Sequence, residues 1–272
     1  MTRRSRIVRY LASFVAGAAV AAGGYAVAAG GGNEGKRPDQ TVSVRPTGVG
    51  LPLIGAHGTV GAGDYVPDLR AYHDSGQYAK DLSAVGSRAQ KYLGRSVKRL
   101  NSKAKQRCRK RDIPAKQCKK PKLAMTLDID ETSLSNYQEI STTGFAGTTA
   151  ALAVALAEAD SPAIGPTLKL FRFAKQRGVD VFFITGRPDA ITGVRERTEV
   201  NLTAAGYEGW KGLFLNPDTS QGVVPYKAGV RADLEKQGYR IVVNVGDQES
   251  DLHGGHADRA FKLPNPFYFI SD

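Results

Sequence analysis

Four aspartates, one lysine and one threonine are the residues of this chain best suited to chemistry. Asp128 and Asp130 close the stretch Leu123 to Thr132, LAMTLDIDET. Asp247 and Asp251 follow the apolar run YRIVVNV, and Thr185 follows VDVFFI. Residues i and i+2 of a strand share a side, so Asp128 and Asp130 are expected to leave the strand end together, with Ile129 turned inward. Like charges this close repel unless a proton or a cation sits between them. A lone DxD is more often an acidic turn, so the remaining chain has to decide. A hard divalent cation with oxygen ligands, Mg²⁺ in the first place, relieves such a cluster and leaves room for a substrate phosphate. Lys227 and the Thr185 hydroxyl can hold an anion beside it, which suits a phosphoryl group. One carboxylate can attack phosphorus; the other can protonate the leaving oxygen and later take a proton from water.

These residues need a scaffold that gathers strand ends, and the pattern supplies one. Apolar runs at 123–127, 179–184, 213–215, 239–245 and 260–263 read as strands. Helical stretches at 167–177, 191–205 and 226–237 lie between them, the last opening near Lys227. The alternation predicts an α/β fold with a mainly parallel sheet and helices on both faces. Ligands of such sheets bind beyond the carboxyl ends of the strands, where Asp128, Thr185 and Asp247 fall. Upstream, Tyr78, Leu82, Val85, Ala89, Leu93, Val97, Leu100 and Ala104 form the buried stripe of a long helix. Residues 133–160 read as an irregular stretch and an Ala-rich helix, which together with the N-terminal helical segment form a small cap. His253 and His256 are expected at the surface, and Trp210, Phe267, Tyr268 and Phe269 in packing.

The 272 residues have a formal net charge of +12, very unevenly placed. Residues 88–122 carry fifteen Lys/Arg against one acid, Asp112, a net of +14. With the four arginines of the first 28 residues also set aside, the rest of the chain is acidic, at −6. The basic segment suits a polyanion or a membrane surface, or else is a solvated face. No aromatic interleaves with its charges after Tyr92, so no specific nucleic-acid binding is expected. Arg3, Arg4, Arg6 and Arg9 precede an apolar run at 10–29 containing Ala26-Val27-Ala28. Residues 1–28 thus read as an export signal, or as an anchor if uncleaved, for a secreted or cell-surface protein. Residues 29–64 read as a Gly-rich linker and 65–272 as the domain. Export favours a disulfide between Cys108 and Cys118; metal binding there would need further ligands, and no His or third Cys lies near.

DIDET resembles the DxDxT signature of the haloacid dehalogenase (HAD) superfamily of phosphohydrolases. FFITGR, the segment around Lys227 and VGDQESD are similar to its second, third and fourth motifs, in order. YHDSGQYAKDL, PYKAGVRADLEKQGY, NVGDQESDL and FKLPNPFYFI resemble segments of the acid phosphatase class B group, which includes bacterial acid phosphatases and plant vegetative-storage-type proteins. The resemblance covers residue 70 to the C-terminus and implies a Rossmann-like HAD core and a Mg²⁺-dependent acid phosphatase acting on a small phosphomonoester. It implies Asp128 as nucleophile, and Asp130 as general acid/base with its carbonyl on the metal. It implies Thr185, Gly186 and Lys227 as phosphate holders, with Gly186 also serving the turn, Asp247 as a direct metal ligand and Asp251 as a metal ligand that is direct or acts through a bridging group. Arg187 is left between substrate contact and pairing with an acid. The chain departs from the group at Glu249, where Trp is frequent, and in lacking the N-terminal lipid-bearing Cys of bacterial lipoprotein members. Some plant relatives have lost the nucleophile; Asp128 is intact here. The alternatives are a catalytically weak polyanion-binding surface protein, and a phosphotransferase using the same aspartyl phosphate.

Overall fold

The structure, a computed structural model, describes residues 62–145 and 148–270. The signal or anchor at 1–28 and nearly all of the linker at 29–64 lie outside the described residues. The last three linker positions belong to helix α1 (Ala62–Asp74) instead. Helix α2 (Gln77–Arg109) follows as a separate element. The break falls at Ser75-Gly76, where Gly76 takes the left-handed conformation (φ 77°) that glycine adopts without steric cost.

All eight residues of the expected stripe, Tyr78 to Ala104, are buried. At 33 residues, α2 is about 50 Å long. All fifteen Lys/Arg of 88–122 are exposed. Cys108 and Cys118 form a disulfide, with Cα atoms 5.8 Å apart. It closes the loop between α2 and the first strand.

Five strands, β1 (Lys122–Leu127), β2 (Asp180–Pro188), β3 (Gly212–Asn216), β4 (Tyr239–Gly246) and β5 (Ala260–Lys262), form one sheet in the order β3-β2-β1-β4-β5. Every pairing is parallel. Residues 123–127 of β1 are all buried, as expected of a central strand covered on both faces. The two faces have different partners. Leu123, Met125 and Leu127 pack in the large core with Leu93 and Leu100 of α2 and Leu170 and Phe171 of α5 (Gly165–Lys175). Ala124, Phe182 and Ile241 pack with Leu234 of α7 (Val223–Lys236) on the other face. Strand order reverses direction around β1, so the crevice beyond β1 and β4 is the switch point.

Helices α3 (Tyr137–Thr142) and α4 (Thr148–Glu158) form the excursion after β1. Its base is tied by backbone bonds, Ser135 N to the Pro162 carbonyl and Ile164 N to the Ser133 carbonyl, both 2.9 Å. Its outer part meets α1: the His73 and Tyr137 rings stack at 3.4 Å, and Arg70 donates to the Ser141 carbonyl at 3.1 Å. Helix α6 (Val194–Ala204) starts three residues later than expected, behind Gly193. Lys227 sits in the second turn of α7, deeper than expected.

Candidate active site

β1 ends at Leu127, and Asp128 N donates to the Val245 carbonyl of β4 at 3.0 Å. The carboxylate therefore lies in the switch-point crevice. Asp247 follows β4 directly, and Asp251 is carried by the short helix α8 (Glu249–Leu252). Lys227 reaches in from α7 with its ammonium 2.5 Å from Asp128 Oδ1 and 2.6 Å from Asp251 Oδ1. All four side chains are buried. The oxygens of Asp128, Asp247 and Asp251 lie within 4.8 Å of one another.

Each member is braced by neighbours. Thr132 Oγ1, Gln248 Nε2 and Asn265 Nδ2 donate to the Asp247 carboxylate at 2.9, 2.7 and 2.7 Å. Gln248 and Asp251 form a reciprocal capping box at the start of α8, with Gln248 N to Asp251 Oδ2 at 2.9 Å. Gly246 leaves no room for a side chain, because a Cβ there would lie 2.3 Å from Asp251 Cβ. The buried Arg231 donates to the carbonyls of Asp251, His253 and Gly255, tying the loop after α8 to α7.

The Asp130 carboxylate is not one of the trio Asp128, Asp247 and Asp251. The strand has ended before both residues, so alternation no longer governs them, and the next residue, Glu131, has φ 51°. Asp130 instead accepts a two-pronged bond from Arg187: Nη2 to Oδ1 at 2.7 Å and Nε to Oδ2 at 3.0 Å. Arg187 Nη1 also donates to Thr198 Oγ1 at 2.9 Å. Of the two readings left open for Arg187, the structure shows pairing with an acid. Of the four expected carboxylates, Asp128, Asp247 and Asp251 form the trio, and Asp130 is paired with Arg187 beside it. Ile129 is fully buried, as expected.

Thr185 is buried at the end of β2, where its hydroxyl accepts from Arg187 N at 3.2 Å. β2 runs beside β1 with Leu127 opposite Phe183, which puts Thr185 and Gly186 at the site end of the sheet. A Cβ at Gly186 would meet nothing within 4 Å, so the fold itself does not demand glycine there.

The electrostatics are unbalanced. Burial first, then Asp251, raises Asp128 well above the usual carboxylate range, and Lys227 only partly offsets this. Burial and Asp251 push Asp247 up to about 6. Burial raises Glu131 far up, helped by Asp130 and Asp247. Burial would raise Asp130 too, but the charge and hydrogen bonds of Arg187 outweigh it and hold the group below its ordinary value. Lys227 is held firmly charged, since Asp128 and Asp251 overcome its own burial cost. Two of the three clustered acids, Asp128 and Asp251, share one lysine, and the spacing and oxygen donors of the three fit a divalent cation such as Mg²⁺.

Glu131, Asn136, Ser161, Asn265 and Tyr268 are buried around the site without having been singled out as site residues from sequence. Tyr268 was read as packing alone; it is packed, and its hydroxyl also donates to Glu131 Oε2 at 3.2 Å. Phe267 is fully buried. His253 and His256 are surface residues, paired with Glu249 at 3.5 Å and Glu235 at 2.7 Å.

A parallel sheet with acids and a buried lysine gathered at its switch point defines an α/β domain of the haloacid dehalogenase kind. The fold matches that of the class C acid phosphatase from Bacillus anthracis, with a TM-score of 0.55 at 20% identity over 76% of this chain and 86% of that one. Residues 64–271 match the profile of the HAD superfamily, subfamily IIIB (acid phosphatase), and the chain belongs to that family. Curated relatives include a stem 28 kDa glycoprotein of Glycine max, 43% identical over 41% of this chain and 44% of that protein. Acid phosphatase 1 of Solanum lycopersicum is 41% identical over 40% of this chain and 43% of its own length. Vegetative storage protein 1 of Arabidopsis thaliana is 35% identical over 53% and 54%. The chain thus spans only about half the length of these relatives, or less.

Proposed function

We propose that this protein is an exported, Mg²⁺-dependent acid phosphatase that hydrolyses small phosphomonoesters through an aspartyl phosphate on Asp128. The observation that carries the reading is the buried trio Asp128, Asp247 and Asp251, closed within 4.8 Å, with Lys227 bridging Asp128 and Asp251. Asp128, Asp247 and Asp251, with the Asp130 carbonyl, would hold Mg²⁺, which supplies positive charge to the transferring phosphoryl oxygens.

A carboxylate oxygen of Asp128 attacks phosphorus, and the bond from phosphorus to the ester oxygen breaks. Asp130 gives its proton to the departing alkoxide. It then takes a proton from water, which attacks the aspartyl phosphate; the bond from phosphorus to Asp128 breaks and phosphate leaves. Lys227 and Thr185 hold the phosphoryl oxygens throughout. The Arg187 fork keeps Asp130 in the carboxylate form the second half needs, and acting as an acid in the first half requires that fork to loosen.

The test is p-nitrophenyl phosphate turnover with Mg²⁺ and with EDTA. Turnover that vanishes on chelation and returns with Mg²⁺ is expected. Equal turnover in EDTA would sink the metal requirement, and no turnover in the folded, Mg²⁺-replete protein would sink the activity. The reading of a catalytically weak polyanion-binding protein is less favoured, because Asp128, Lys227, Asp247 and Asp251 are gathered in one buried cluster.

The basic face is proposed to contact a polyanion in addition. Among the described residues, none of the fifteen Lys/Arg of 88–122 makes an ion pair. The most basic part is the α2 terminus and its disulfide loop, which precede Lys122 at the start of β1; the site lies at that strand's other end. Contact there leaves the site open. Strong retention of the protein on heparin at low salt, lost steeply as salt rises, is expected. Elution in the first low-salt wash would remove this proposal.

A further inference from the structure

We infer that Asn136 is a positioning residue for Asp130, held in place by Glu131 and Ser161; the inference rests on the phosphatase reading above. Asn136 is fully buried, on the excursion after β1 and outside every motif that the sequence brought forward. Its Nδ2 donates to Asp130 Oδ1 at 2.8 Å and to Glu131 Oε2 at 3.2 Å. Its backbone N donates to Glu131 Oε1 at 2.5 Å. Its Oδ1 accepts from Ser161 Oγ at 2.9 Å. The amide has no freedom to flip. Turned over, its oxygen would face two carboxylates and its NH₂ would leave them unsatisfied.

Arg187 and Asn136 divide the work on Asp130. Arg187 bonds both oxygens from β2, while Asn136 bonds only Oδ1, from the excursion after β1. Arg187 is itself tied to Thr198 through Nη1, so the fork restrains Asp130 from one element and leaves it only a rocking motion about that anchor. A second donor from a different element removes that motion. The support continues outward through bonds of 2.8 and 3.2 Å: Asn201 Nδ2 donates to the Ser161 carbonyl, and Tyr268 caps Glu131. Among the described residues Glu131 makes no ion pair, and it stands in a backbone conformation (φ 51°) that costs a non-glycine residue. Its bonds to Asn136 and Tyr268 give a reason for both features. The excursion that reads from sequence as a cap therefore also supplies a wall of the site.

The prediction separates positioning of a proton donor from general support of the fold. A poor leaving group needs its proton in the transition state, whereas p-nitrophenolate departs nearly unaided. The measurement is kcat/KM, which reports the steps through transfer to Asp128, for p-nitrophenyl phosphate and β-glycerophosphate with Mg²⁺. Asn136→Ala is expected to lose less than about tenfold on the first and on the order of a hundredfold on the second. Ser161→Ala, which frees the amide oxygen but keeps both donors, should lose less in the same unequal sense. It carries the test if Asn136→Ala fails to fold. Equal losses on the two substrates, or none, overturn the inference. Absence of wild-type turnover on both would instead overturn the phosphatase reading beneath it.

Discussion

Asp128→Asn is expected to remove turnover, on the order of 10⁴-fold or more, in a protein that melts no lower than wild type at pH 8 without metal. The first half follows from the chemistry. Uncatalysed hydrolysis of phosphate monoesters is among the slowest of biological reactions, so loss of the attacking oxygen leaves little behind. The second half follows from the burial of Asp128 and its neighbours. The folded-state pKa is raised, so the folded protein holds a proton that the unfolded chain has already released near the ordinary carboxylate value. Stability therefore falls as pH rises through the window between those two values. Asparagine carries no such charge and still offers an oxygen to Lys227. Residual activity near wild type would remove Asp128 as nucleophile; a collapsed melting temperature would show that its charge supports the fold.

Lys227→Met acts in the opposite direction and is the largest expected loss of stability. The lysine is 3% exposed and bridges Asp128 and Asp251 at 2.5 and 2.6 Å. Without it two buried carboxylates face each other with no cation between them. Removing one partner from such a buried pair costs about 3–5 kcal/mol. The cost should be greatest at high pH and shrink as pH falls, because Asp128, its carboxyl raised by burial, takes up its proton. Added Mg²⁺ should restore part of it, by roughly 2.7 kcal/mol at a hundredfold excess over Kd. Urea unfolding at pH 8 and at pH 5, with and without Mg²⁺, checks this. A loss below about 1 kcal/mol at pH 8 would mean that water, rather than Lys227, screens the pair.

Much of this arrangement was legible because the acids follow unmistakable strands. VDVFFI and YRIVVNV must be buried, so the polar residues after them must meet at one end of a parallel sheet. The stripe on α2 was legible for the same reason, since period and burial coincide over many turns. The pairing of Asp130 was not. A two-residue spacing carries geometric meaning only inside a strand, and β1 stops at Leu127. Arg187 gave a weaker signal, because its partner lies 57 positions away and only the register of β1 against β2 brings them together. Asn136 and Ser161 had no signal of spacing at all. They sit in a polar loop and beyond an Ala-rich helix, and backbone bonds at the base of the excursion unite them. The break at Gly76 was readable in principle, from Ser75-Gly76 interrupting the helical stretch, but the apolar pattern on either side masked it.

The crowding of Asp128, Asp247 and Asp251 also bears on the protein's evolution. A site that opposes its own folding has to be maintained by selection for turnover. Once that selection relaxes, substitutions that neutralise the acids meet no penalty in stability and gain some. The scaffold can then persist as an abundant, durable protein while its reaction is lost. On this scaffold, loss of the reaction would be a downhill step in stability.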